Sequence, residues 1–108
     1  MASILRVLGQ AYPTANVETT FYTCATNSVV ISTFFICNSG PSQDLVSARI
    51  CVGGASSDNK QLLCSNLVIG GSSILEITAG LTLANTDVIK VTSQTGTTTF
   101  QLFGQENM

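Results

Sequence analysis

Hydrophobic residues occur in short runs separated by turn residues, and the longest run is SVVISTFFIC, residues 28–37. It contains no charge, Gly or Pro and is rich in β-branched and aromatic residues, which is typical of a strand. Successive strand side chains point to opposite faces. One face would carry Val30, Phe34 and Ile36. The opposite face would carry Val29, Ile31, Thr33, Phe35 and Cys37. Because both faces are apolar, we expect this strand to be covered on both sides, by its own domain or by a neighbouring subunit.

Residues 45–52 show the clearest alternation in the chain. Val46, Ala48, Ile50 and Val52 would form a core face, whereas Ser47, Arg49 and Cys51 would lie on the other side. This second side puts a cation and a thiol on an otherwise uncharged surface. Together with the central strand, it predicts a subunit-contact face formed by Val29, Ile31, Phe35, Arg49 and Cys51.

Further short strands are predicted along the chain, among them one with Ile89 and Val91 inward and one with Phe100 and Leu102 inward. Turn signals rich in Gly, Pro, Asn and Ser separate them. Helical periodicity is absent, so the pattern predicts an all-β fold, a seven- to eight-stranded antiparallel β-sandwich or jelly-roll-like barrel. Residues 1–108 form one domain, and the ends, 1–10 and 104–108, are expected as extended arms that add a strand to a neighbour's sheet.

Charged residues make up only 9% of the chain, well below the roughly 25% usual for soluble domains. Surfaces that bind other proteins are depleted in Lys, Glu and Asp, so this composition favours assembly. The net charge is −2 and the four cations are scattered, which argues against nucleic acid as a partner. No apolar stretch approaches the length of a membrane span or of a signal-peptide core, so we expect synthesis in a cytosol and no membrane partner.

Four cysteines, Cys24, Cys37, Cys51 and Cys64, are spaced almost evenly and include no CxxC pair. Since the chain has no His, a zinc site would need all four thiolates, and we predict no metal. Free buried thiols are the default in a reducing compartment, and the alternative is cross-linking after release into an oxidising medium. Three pairings within one chain are open.

Catalytic chemistry finds no support in the sequence. The absence of His excludes Ser-His and Cys-His dyads, and no Gly-rich phosphate loop or acidic calcium loop occurs. Asp87 is expected to cap a turn, and Glu76 to face solvent or to pair with a cation such as Arg49 across a contact. We therefore predict no enzymatic activity and no cofactor.

The segments RVLGQ with a following Pro, VISTFFICN, ARICV, LTLANTDVIKV and FQLFGQE occur in this order over nearly the whole chain. In this pattern the chain resembles a family of small virion proteins of tailed bacteriophages. The resemblance implies a non-enzymatic structural component present in many copies on the head, neck or tail. Cys37 sits where the family pattern often has a cysteine, whereas the other three are particular to this chain.

The resulting hypothesis is a virion protein, assembled in the host cytoplasm, that decorates the capsid or sheathes the collar, neck or tail. Its partners would be itself, as a trimer or ring, and other virion proteins, with Cys51 or Cys24 available for cross-links. The alternative is a host-surface carbohydrate-binding module of a fibre or tail tip. A small thiol oxidoreductase ranks third, because only Arg49 is placed to lower a cysteine pKa.

Overall fold

A computed structural model describes residues 3–78 and 80–108. The structure is built almost entirely of strands, which confirms the all-β prediction. No helix in the described residues is long and apolar enough to cross a membrane. Two short 3-10 turns, Val52–Gly54 and Asn59–Gln61, lie between the fourth and fifth strands. The described residues form nine strands: β1 (Ser3–Ala11), β2 (Thr19–Thr23), β3 (Ser28–Asn38), β4 (Asp44–Cys51), β5 (Leu62–Ile69), β6 (Ser73–Ile77), β7 (Leu81–Ala84), β8 (Val88–Ser93) and β9 (Thr98–Asn107).

The strands form two antiparallel sheets packed as a sandwich. The five-stranded sheet has the order β1-β9-β3-β6, with β7 pairing beside β6 on the other half of β3. The four-stranded sheet has the order β2-β8-β4-β5. The predicted β-sandwich is therefore confirmed, with one strand more than expected. The additional strand is the four-residue β7, which pairs with the first half of the long β3.

A β-bulge in β3 changes which side chains face the core. The register against β9 shifts between Ile31 and Thr33, so the alternation of faces slips by one residue at Ser32. Val29 and Ile31 before the bulge and Phe34 and Ile36 after it are all buried between the sheets. The predicted faces of this strand are corrected accordingly: each combined residues from both sides of the sheet. Val29 and Ile31 belong to the core and not to a contact face.

Three phenylalanine rings form the centre of the core. Phe34 and Phe100 come from the five-stranded sheet and Phe21 from β2 of the other. Their ring centroids lie 5.4 to 6.2 Å apart in edge-on and tilted arrangements, which aromatic pairs favour. The inward positions predicted for β8 and β9 are confirmed, because Ile89, Val91, Phe100 and Leu102 are all fully buried.

Strand β4 follows its predicted alternation until its last residue. Val46 and Ala48 are buried and Ile50 packs against the same core. Val52 was expected in this face but is 72% exposed, since the strand ends at Cys51 and the chain turns away. Cys51 is buried outside the main core, and its thiol donates to Gln61 Oε1 at 3.4 Å. It is therefore not a surface residue of the predicted contact face.

The two ends of the described chain pair with each other. β1 forms one edge of the five-stranded sheet, and β9 lies between β1 and β3 over almost its full length. Gly104 sits at a crowded point of this pairing, where a Cβ would lie 2.2 Å from the carbonyl oxygen of Val30. Residues 104–107 thus form part of a central strand here and not a free arm. The addition of residues 1–10 as a strand to a neighbour's sheet stays a prediction.

Candidate assembly surface

The outer face of the five-stranded sheet carries large apolar side chains. The register places Val7 opposite Phe103 and Leu5 opposite Gln105, so these side chains share the face that points away from the core. On the other side of β9, Gln105 is opposite Val30. A shallow groove runs between these strands. We call this outward side of the sheet the apolar face, and its large members are Leu5, Val7, Val30, Phe35, Ile74 and Phe103.

Exposure of the apolar face is high for side chains of this type. Leu5 is 77%, Ile74 67%, Val7 49% and Val30 45% exposed. Phe35 and Phe103 are partly covered by each other, with ring centroids 5.7 Å apart in a T-shaped arrangement. Contiguous apolar side chains on a monomer usually mark a surface that another molecule covers.

The apolar face is also poor in charge. Among the described residues whose side chains point out from it, only Glu76 is charged. Arg6 also lines the groove between β1 and β9, and its guanidinium is paired with Glu106. The outer face of the four-stranded sheet differs, because Arg49 and Lys90 stand directly opposite each other there. Glu18 lies beside them, with an Oε2 to Arg49 Nη1 distance of 3.6 Å. The two outer faces thus have distinct chemistry, one apolar and one charged.

Of the predicted contact residues, the structure places only Phe35 on the apolar face. Val29, Ile31 and Cys51 are buried, and Arg49 lies on the opposite side of the molecule. The sequence reasoning missed the other large members of the face. Leu5 and Val7, which flank Arg6, carry the alternation that could have revealed them. Val30 was missed because of the bulge at Ser32. An unbroken period of two places it on the same face as Phe34 and Ile36, which are buried.

The four predicted cross-linking cysteines are all free and lie in different environments. Cys24 and Cys51 are buried, so neither thiol can reach another subunit in this conformation. Cys37 is half-buried on the apolar face, opposite Ile74 of β6. Cys64 is half-buried beside the core, and burial raises the pKa of its thiol although a backbone hydrogen bond from Ala48 opposes the shift. Of the four, Cys37 is the one that the apolar face presents to a partner.

Two buried polar side chains tie the loops together at one end of the sandwich. The Asn38 amide donates to the carbonyl oxygens of Ser42, Ile69 and Gly70. Its oxygen accepts from the Gly40 amide and the Thr97 hydroxyl. This amide has no unused group, so it fixes three loops in one arrangement.

Asp44 is the second of these side chains and is 1% exposed. Its carboxylate accepts from the hydroxyls of Ser93 and Thr98 and from the backbone amides of Leu45 and Thr95. Burial raises the pKa of Asp44, but these hydrogen bonds outweigh it and hold the pKa below its ordinary value. The role is structural, since all four donors belong to the protein itself.

A third buried polar side chain, the carboxylate of Glu106, anchors the opposite end of the sandwich. Glu106 is 5% exposed, accepts from the Tyr22 hydroxyl at 2.7 Å and lies 2.9 Å from Arg6 Nε. The Arg6 contact is an ion pair without good hydrogen-bond geometry. Burial, followed by the bond to Glu106, raises the pKa of Tyr22 well above its ordinary value. These contacts link β1, β2 and β9, so they hold the edge strand to the domain.

Asp87 has the turn role expected for it. One carboxylate oxygen accepts from the Ala84 amide at 2.9 Å and the other from the Gly53 amide at 2.8 Å. No group of three or more His, Cys, Asp or Glu side chains that could hold a metal ion occurs within residues 3–78 and 80–108.

A smaller groove adjoins the apolar face near the end of β1. It is lined by Gln10, Ala11, Tyr12, Thr99, Phe100 and Gln101, and Tyr12 is 64% exposed. The amides of Gln10 and Gln101 are hydrogen-bonded at 3.2 Å. An exposed aromatic ring beside amide groups is a combination that can bind a sugar ring.

Comparison with known proteins finds a likeness in structure. No family model and no curated protein matches the chain. A chain in the structure of infectious bursal disease virus, Gt strain, superposes with a TM-score of 0.51 at 13% sequence identity. The superposition covers 95% of this chain and 30% of the viral one, so the chain spans under a third of that chain's length. At this identity the likeness shows the fold alone.

Proposed function

We propose that this chain is a non-enzymatic structural protein of a tailed-phage virion. In this role many copies decorate the capsid or sheathe the collar, neck or tail through subunit contacts. The observation that carries the proposal is the apolar face, because a domain of this kind with large exposed apolar side chains fits a protein that functions when covered by another. Its partners would be further copies of itself and other virion proteins, and its location the virion.

Three further features support the proposal. The fold is similar to part of a chain in a virus structure. The sequence resembles small virion proteins of tailed phages in segments that lie in order along the chain. Both ends of the sandwich are fixed by buried polar networks centred on Asn38, Asp44 and Glu106, as suits a rigid building unit.

Quantification of the chain in purified particles tests the proposal. Particles from a lysate of cells that carry the gene would be purified by density gradient, and the chain counted by mass spectrometry against a major particle protein. Many copies per particle, located by immunogold labelling at one position, are expected. Absence of the chain from particles whose other proteins are all recovered would refute a virion role.

A carbohydrate-binding module of a fibre or tail tip is the second candidate. The groove beside Tyr12 favours it, since an exposed aromatic ring and two amides can stack on and hydrogen-bond a sugar. A glycan array probed with the purified protein and with Tyr12→Ala would decide. Binding that the substitution abolishes would support this function. An array without signal would reject it and leave assembly as the single candidate function.

A further inference from the structure

We propose that the apolar face is covered by the same face of a second copy, so that two sandwiches stack sheet to sheet in an isologous pair. The inference rests on the proposed function and deepens it by naming the surface and the first partner. The face is formed by β1, β9, β3 and β6 and carries its large side chains on all four strands.

The size of the face suits this partner. The sheet has four strand positions about 4.8 Å apart, and the short strands β6 and β7 share the fourth. With each position about ten residues long at roughly 3.4 Å per residue, the face spans on the order of 650 Å² before side-chain relief is counted. A standard stable interface buries about 800 Å² on each partner. The face alone therefore supplies most of what a stable pair requires. Two sheets pack face to face about 10 Å apart with their strands within about 30°, as the two sheets of a sandwich do.

The charge distribution selects the face and permits self-association. Within the described part of the chain, Glu76 is the only carboxylate of the apolar face, and it lies on the edge strand β6, where the rim of an interface stays wet. Arg6, the cation that lines the groove, is already paired with Glu106, so no pair of unneutralised like charges needs to be buried at the centre. The outer face of the other sheet is a poor candidate because the opposed Arg49 and Lys90 would have to lose water.

The experiment compares matched lysine substitutions on the two sides of the molecule. Leu5→Lys introduces a charge on the apolar face at a residue that is 77% exposed. Val52→Lys is its control, since it introduces the same charge outside the apolar face at a residue that is 72% exposed. A second pair is Val30→Lys and Val68→Lys, at 45% and 56% exposure on the two outer faces. Because all four side chains are already exposed, the folded monomer should accept them, and circular dichroism would verify this. Sedimentation velocity over a range of concentrations gives the dissociation constant.

We expect a dimer for the unchanged protein, a rise of about tenfold or more in the dissociation constant for each of Leu5→Lys and Val30→Lys, and little change for the two controls. Cys37 adds an independent readout, since its alkylation should slow as protein concentration rises and the dimer forms. A protein that stays monomeric at every concentration, or a dimer that only the control variants weaken, would overturn the inference. Such a result leaves the particle measurement unaffected, so the two proposals fail separately.

Discussion

Asp44 offers the sharpest test of how the sandwich is held together. Its carboxylate is buried and accepts four hydrogen bonds, two from backbone amides to Oδ1 and two from hydroxyls to Oδ2. In Asp44→Asn the carbonyl oxygen can still serve the amides of Leu45 and Thr95. The new NH2 group instead faces the hydroxyls of Ser93 and Thr98, both of which donated to the carboxylate and must now reorient.

The expected cost follows from this geometry. Hydrogen bonds to a charged group contribute about 1.5–3 kcal/mol each, and a buried group left without a partner costs a similar amount. In the variant the hydroxyl hydrogen of Ser93 loses its acceptor, Oδ2, while the Ser93 oxygen still accepts from the Gly96 amide at 3.0 Å. We therefore expect Asp44→Asn to lower the free energy of unfolding by about 3 kcal/mol at pH 7. With an m-value of about 1.5 kcal/mol/M, the urea midpoint falls by about 2 M.

The pH dependence gives the prediction a second part. Because the pKa of Asp44 is lower in the folded protein, the stabilisation is complete above the unfolded value of about 3.9 and is lost as the pH falls through the folded value. The difference in the free energy of unfolding between the unchanged protein and Asp44→Asn should therefore become smaller below about pH 4. Glu76→Gln, at an exposed carboxylate, is the control and should leave the urea midpoint unchanged. The argument would be refuted if Asp44→Asn were as stable as the original protein at pH 7, or if the difference in their unfolding free energies did not depend on pH.

Three further predictions concern the ends and the thiols of the domain. Gly104→Ala should lower the free energy of unfolding by roughly 1–3 kcal/mol in a urea titration, since the new Cβ meets the backbone oxygen of Val30; an unchanged midpoint would show that the strands can separate there. Tyr22→Phe should cost about 1–3 kcal/mol by leaving a buried oxygen of Glu106 without its donor. Because the pKa of Tyr22 is raised in the folded state, the free energy of unfolding of the unchanged protein should fall as the pH rises above about 10. The same fall in Tyr22→Phe would show that Tyr22 is not its cause. Iodoacetamide should label Cys37 before the two fully buried thiols, and mass spectrometry that finds a buried thiol labelled first would contradict the burial described here.

The predicted contact face shows where reasoning from the sequence failed. It combined residues of two strands on the assumption that each alternates without interruption. In β3 the bulge at Ser32 moves Val29 and Ile31 into the core, and at the end of β4 the segment that follows covers Cys51. A bulge belongs to the pairing of two strands, so one strand's side-chain pattern does not reveal it.

The sequence by itself determined the class of fold and the inward residues of β8 and β9. Both follow from local causes, the preference of β-branched and aromatic residues for strands and the period of two between turn residues. Only the tertiary structure decided which strands pair, that Asp44 and Glu106 are buried, and that the large apolar side chains from β1, β3, β6 and β9 meet on one outer face. These features depend on contacts between residues distant in the chain, and such contacts are set by register and by how the sheets pack.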